Sequence, residues 1–297
     1  MKLQALLVGL VAVLFSSCSD PKQQLIIFHA GSLTNPINQI SREYEKLNPG
    51  VVIKTEAGGS IFSIRKLTEL NRTCDILMVS DYILLSIFLD SLTANQIIVF
   101  ATNSMTVAYT NQSKYADEIN NNNWHEILLR PDVKIGRSNP SQDPCGYRTE
   151  LLFKLAEDYY KKPGLSRKFL NKSATTFRPK ETDLLPLLQS GELDYIFIYS
   201  SNALRNNLEV IQLPDSINMR RLDLSKYYNN FSTKIPGSKL KDSIEIPAQY
   251  IAYGLTVPNN SPNSELAHDF IKFMISQDSI WMANYQSLLP NPILMKN

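Results

Sequence analysis

Apolar residues along this chain fall into short blocks of two kinds, and the two kinds alternate. "LIIFHA" (25–30), "VVIKTEA" (51–57) and "CDILMVS" (74–80) are runs of the length of single strands. Between them the apolar positions recur every three or four residues, the spacing of one helix face. Ile37, Ile40, Tyr44 and Leu47 share such a face, and Pro49-Gly50 stops it. Ile61, Ile64 and Leu67 mark the inward face of the next helix, which opens at Gly58-Gly59-Ser60, and "DYILLSIFL" follows the third strand. Strand and helix in alternation predict an α/β fold of mostly parallel sheets flanked by helices.

Beyond "ATNSMTVAYT" (101–110) the texture changes. "EINNNNWHE" is a polar loop, and "VKIGRSNP" reads as a strand running into "SQDPCGYRTELLFKLAEDYY", whose helix has Leu151, Leu152, Leu155 and Tyr159 on its apolar side. "RPKETDLLPLLQSGELDYIFIYSS" supplies another helix and then an apolar strand at 193–199. "QYIAYGLTV" (249–257) reads as a strand returning to the first half, and the tail as one or two amphipathic helices. The expected organisation is therefore two lobes joined by two crossing strands. Residues 25–105 and 250–297 form one lobe and 106–249 the other, with a ligand cleft between them.

The N-terminus reads as a targeting segment. Lys2 is a minimal charged region, Leu3 to Phe15 is a short apolar run, and "FSSCSD" ends it with small residues. Small residues before a cysteine resemble a bacterial lipobox, although Phe15 is an unusual residue three places before one. Residues 1–17 are thus expected to be a signal peptide, Cys18 the lipidated first residue of an exported periplasmic or cell-surface protein, and 18–24 a linker. Cys74 and Cys145 are expected to stay unpaired. With 30 Lys and Arg against 28 Asp and Glu, and no basic run, no nucleic-acid partner is indicated. The chain has no G-x-G-x-x-G, no P-loop, no G-x-S-x-G and no H-E-x-x-H, so no cofactor is expected.

Three helix starts lie at strand ends: after Ala30, after Ala57 and after Pro140. A helix start exposes unpaired N–H groups and a partial positive charge, which suits an anion. Gly31-Ser32 and Gly58-Gly59-Ser60 add close backbone approach and a hydroxyl. Serine and glycine are equally ordinary in caps and turns, so these residues alone leave both readings open. Asp143 before Pro144 fits a simple N-cap, Glu181 fits an acid in a first helical turn, and Tyr199 fits a core residue. The two carboxylates would also suit an acid–base pair for glycoside hydrolysis.

Longer strings narrow the choice. "HAGSLTNP", "EAGGSIFSIRKLTEL", "SNPSQDPCGYRTELLFKLAEDYY", "RPKETDLLPLLQSGELDYIFIYSS" and "IAYGLTVPNNSPNSELAHDFIKFM" resemble, in order, the tungstate/molybdate-binding protein of the tungstate-type ABC importers. The resemblance implies a two-lobed type II periplasmic-binding-protein fold. It implies a monomeric carrier without catalysis that passes its anion to a membrane permease, tethered in this chain through Cys18. It also implies that Gly31, Ser32 and Ser60 are donors from one lobe and that Tyr199 is a hydroxyl donor from the other. Asp143 and Glu181 would be carboxylate ligands of the tungsten or molybdenum centre, with the backbone around Gln142 and Pro144 contributing. The alternatives to be separated from it are a binding protein for sulfate or phosphate on the same fold, a hydrolase, and a structural surface lipoprotein.

Overall fold

The computed structural model describes residues 22–237 and 242–297. The expected signal peptide, Cys18 and all but the last residues of the linker lie outside them.

Strands β1 (Gln23–Ala30), β2 (Val51–Gly58), β3 (Ile76–Val79) and β4 (Gln96–Thr102) join β12 (Ala252–Thr256) and β13 (Ser287–Lys296) in a six-stranded sheet of order β13-β4-β12-β3-β1-β2. A five-stranded sheet, β7-β6-β8-β5-β9, takes β5 (Met105–Tyr109), β6 (Ile135–Ser138), β7 (Thr175–Arg178), β8 (Tyr195–Tyr199) and β9 (Glu209–Ile211) from the middle of the chain. A separate hairpin pairs β10 (Ser232–Pro236) with β11 (Ser243–Pro247). Two sheets with flanking helices were expected; mostly parallel sheets were not what formed. β1 runs parallel to β2 and β3, and β6 to β7 and β8, where a helix carries the chain back over the sheet. β12 is antiparallel to β3 and β4, and β5 is antiparallel to β8 and β9. The reason is the crossing itself. β4 carries the chain out of the first sheet toward the second, so the strand that returns beside it must run the other way.

β1 is buried on both faces, as its unbroken apolar run requires. Leu25 and Ile27 pack with Leu33, Ile37, Ile40, Phe270 and Trp281, while Phe28 packs on the opposite side with Ile61, Ile64 and Leu77. Leu47 and Tyr159 depart from expectation, at 69% and 45% exposed. Each is the last residue of its helix, Thr34–Leu47 and Pro144–Tyr159, where the final turn runs past the layer it packs on. The helix expected over "ETDLLPLLQ" is a 3₁₀ turn, Glu181–Leu184, followed by a short helix, Leu185–Gln189. β13 was not anticipated, because its sequence contains Pro290 and Pro292. It is an edge strand, and its pairing with β4 breaks between Leu288 and Ile293, where the prolines sit.

Candidate functional site

The carboxyl ends of the strands in the two sheets face each other, and the turns that follow them meet. A Cβ on Gly59 would lie 2.3 Å from the carbonyl oxygen of Gln142 and 3.3 Å from that of Pro179 in the other lobe. Only glycine permits that approach. Gly31 faces the opposite side less tightly, where its Cβ would stand 3.2 Å from Thr182 Oγ1. The lobes are therefore closed on one another. Ser32, Ser60, Ser80, Ser138, Asp143, Glu181 and Tyr199 are enclosed there, none more than 1% exposed.

The first lobe supplies hydroxyls. Ser60 begins the Ser60–Thr68 helix, whose N-cap, Gly59, has no capping side chain. Ser60 Oγ accepts the Ser80 N–H at 3.0 Å and lies 3.2 Å from Ser80 Oγ, which ties the end of β3 to the helix start. Tyr199, ending β8, donates its hydroxyl to Ser80 Oγ at 3.5 Å across the lobes. Ser32 Oγ, after β1, is buried beside Tyr253, and Ser138 Oγ, ending β6, beside Asp143, and neither makes a well-formed hydrogen bond. Buried hydroxyls are ordinarily paired, so two weakly held ones at facing strand ends are free to donate to a ligand.

The second lobe supplies carboxyls. Asp143 occupies the N-cap of the Pro144–Tyr159 helix but makes no capping bond there. Its Oδ2 instead accepts the Glu181 N–H at 3.0 Å. Glu181 opens the turn after β7, and its Oε1 accepts from Asn202 Nδ2 at 2.9 Å. Burial pushes the Asp143 carboxyl up to about 6. Burial, and then the charge of Asp143, hold Glu181 well above the usual carboxylate range. The two carboxyls are neighbours, tied through the Glu181 N–H, and each bears on the other's ionisation. Two carboxyls this close in a dry site share a proton unless a positive centre stands between them. Glycosidases hold their carboxyls about 5 Å or more apart around the sugar, and a pair linked in this way does not favour the hydrolase reading.

Beside the site, Asp81 follows Ser80 and meets Arg148, one turn into the Pro144–Tyr159 helix. Both side chains are fully buried, with Nη2 2.5 Å from Oδ2. The Tyr147 hydroxyl donates to the same oxygen at 2.6 Å, and Arg148 Nη1 donates to the Gln249 carbonyl at 2.7 Å. One short segment, "DPCGYR", thus contributes both a carboxyl of the site and a cross-lobe ion pair.

Gly31, Ser32, Ser60, Asp143, Glu181 and Tyr199 all lie buried where the two lobes meet. Gln142 presents its carbonyl to Gly59, and Pro144, buried at the helix start, has no N–H to offer. Ser80, Ser138, Asn202 and the Asp81–Arg148 pair were missed. A hydroxyl at the end of a buried strand, as in "MVS" and "GRS", is a signal that would have found the two serines. The described residues contain no group of three or more His, Cys, Asp or Glu that could hold a metal ion. Cys74 and Cys145 are buried and unpaired.

The family described as bacterial extracellular solute-binding protein matches residues 25–280 of this chain. A relative from Petrotoga mobilis, named an uncharacterized solute-binding protein, is 44% identical over 257 residues, which cover 86% of this chain and 80% of that one. The molybdate/tungstate-binding protein WtpA of Pyrococcus abyssi is 40% identical over 303 residues, covering 92% and 87%. Among solved structures, the periplasmic molybdate-binding protein of Azotobacter vinelandii superposes with a TM-score of 0.62 at 15% identity, covering 90% of this chain and all of that one. At that identity the likeness speaks for the two-lobed fold alone.

Proposed function

The chain belongs to the bacterial extracellular solute-binding proteins, and from that premise we propose that it captures tungstate or molybdate between its lobes and delivers it to a membrane permease. The observation that carries the reading is the pair of buried carboxyls, Asp143 and Glu181, set among neutral hydroxyls. A site that recognises an oxyanion by hydrogen bonds alone has no use for them. Each unit of like charge at ~4 Å costs about 4 kcal/mol at an effective dielectric of 20. The conflict disappears if the carboxylates bind the metal centre. Tungsten and molybdenum are large enough to take two oxygens beyond the four of the free ion, and carboxylate oxygen is a hard ligand suited to a hard centre. Sulfur and phosphorus do not expand in this way, so sulfate meets two charges it cannot coordinate and is rejected.

Roles follow from position. Ser32, Ser60 and Tyr199, with Ser80 and Ser138, donate to the outer oxygens, and Gly31 and Gly59 let the backbone come close. Each hydrogen bond to a charged group contributes about 1.5–3 kcal/mol net. Asp143 and Glu181 give up their shared proton when the metal centre takes its place. Because donors come from both lobes, the ligand favours the closed state and is released on opening.

The lobe limits, 25–105 with 250–297 and 106–249, belong to this proposal; the crossing from β4 to β5 and the return into β12 support them. So does lipid attachment at Cys18 after removal of residues 1–17, which would hold a monomeric carrier beside its permease. Replacing Cys18 by Ser should release the protein from membranes without changing anion affinity. Titration calorimetry with tungstate, molybdate, sulfate and phosphate tests the main reading. Tight 1:1 binding of either metal oxyanion supports it; tight sulfate with weak tungstate and molybdate overturns it. X-ray absorption of the loaded protein should show more than four oxygen neighbours.

A further inference from the structure

We infer that Arg205 is a positioning residue that couples closure of the cleft to the orientation of the Glu181 carboxyl. The inference rests on the proposed oxyanion site and concerns residues outside it. Arg205 ends the Ser200–Arg205 helix, which begins directly after Tyr199. Its Nη2 donates to Asn202 Oδ1 at 2.6 Å, and the buried Asn202 donates through Nδ2 to Glu181 Oε1 at 2.9 Å. On its other side the same guanidinium crosses to the first lobe. With its amide oxygen turned to face Arg205, Asn35 accepts from Nε at 2.6 Å and from Nη2 at 2.8 Å. Asn35 lies in the first turn of the Thr34–Leu47 helix, just after the Gly31–Leu33 turn that carries Ser32. A three-residue relay therefore runs from one lobe to a carboxyl of the other.

The chemistry of the relay is directional. A guanidinium has donors only, so it can face nothing but the oxygen of the Asn202 amide. That leaves the amide nitrogen for Glu181 and excludes the flipped amide, which would set oxygen against a carboxyl oxygen. Arg205 so fixes how the Glu181 carboxyl is turned. On opening, Asn35 leaves with its lobe, and the guanidinium loses the acceptor that holds its Nε. Closure and carboxyl orientation become one event, and release of a ligand bound through Glu181 is slowed. Asn35 is exposed at the rim and Arg205 half-buried, so the effect is modest.

Stopped-flow release of tungstate from the wild type, Asn35→Ala, Arg205→Met and the double variant tests this, with sulfate affinity and ligand-free melting measured alongside. Expected are release about fivefold to tenfold faster in each single variant and a double variant no faster than Arg205→Met. Arg205→Lys, which lacks the planar fork, should restore only part of the slow release. Sulfate affinity should not change, because it does not depend on how Glu181 is turned toward a metal centre; ligand-free melting should fall somewhat in Arg205→Met, which leaves the buried Asn202 oxygen without its donor. Unchanged tungstate release, or effects that multiply in the double variant, or equal losses for both anions, would overturn the inference while leaving the oxyanion reading intact. A wild type that binds neither tungstate nor molybdate overturns that reading and this inference with it.

Discussion

Replacing Arg148 by Met is the substitution whose cost the structure sets most sharply. Asp81 and Arg148 are both fully buried, and their contact joins the end of β3 to the helix that carries Asp143. Met approximates the length of the aliphatic stem but removes the cation. Asp81 would then keep only the Tyr147 hydroxyl at 2.6 Å and the Gln249 amide at 3.4 Å, with no compensating charge. The Gln249 carbonyl would lose its donor as well. Removing one partner of a buried pair costs about 3–5 kcal/mol, because the other charge is left stranded away from water. Removing both is far milder, since the desolvation cost goes with them. Arg148→Met should therefore lower stability by about 3–5 kcal/mol, and Asp81→Asn with Arg148→Met should recover most of that loss. Urea denaturation followed by circular dichroism, at fixed pH and without ligand, measures both. A loss under about 1 kcal/mol in the single variant, or a double variant as unstable as the single, would refute the argument that an uncompensated Asp81 is the cause.

The other expectations concern the site itself. Asp143→Asn or Glu181→Gln should weaken tungstate binding about a hundredfold or more, given roughly 3 kcal/mol for a lost charged ligand, and should relax exclusion of sulfate; competition calorimetry reads both, and tighter tungstate binding in either variant would sink the coordination idea. The raised Asp143 carboxyl, at about 6, sets a pH dependence. The folded protein holds this proton where the unfolded chain, near ~3.9, has lost it, so ligand-free stability should fall as pH rises from about 4 through about 6. Glu181, raised further, extends the fall upward. Thermal melts across that range should show the slope, and Asp143→Asn should flatten it. Gly59→Ala puts a methyl where only 2.3 Å separates it from the Gln142 carbonyl; the variant should stay open, and small-angle scattering should then show no contraction on adding tungstate.

Much of the fold was legible in the residues alone, because burial leaves a local imprint. A strand covered on both faces must be apolar along its run, and "LIIF" and "YIFIY" are. A helix lying on a sheet must repeat its apolar residues every three or four positions, and Ile37, Ile40 and Tyr44 do. The glycine-serine turns were visible because a close backbone approach restricts residue type on the spot. Strand direction was not visible: β12 has the same apolar character whichever way it runs, and only the return of the chain beside β4 makes it antiparallel. β13 was hidden by its prolines, which an edge strand tolerates once its pairing is interrupted. The site divided in the same way. Asp143, Glu181 and Tyr199 sit in long distinctive strings, yet each reads on its own as a cap, a first-turn acid or a core residue. Ser80 and Ser138 are marked only by a hydroxyl at the end of a buried strand, and Asn202 carries no local mark at all. Asp81 and Arg148 are 67 positions apart, and nothing near either one announces a partner. A residue's type and spacing record how deeply it is buried and in which element. Which distant charge it meets, and whether its lone pairs face a neighbour or a ligand, is decided only when two lobes close over the same few ångströms.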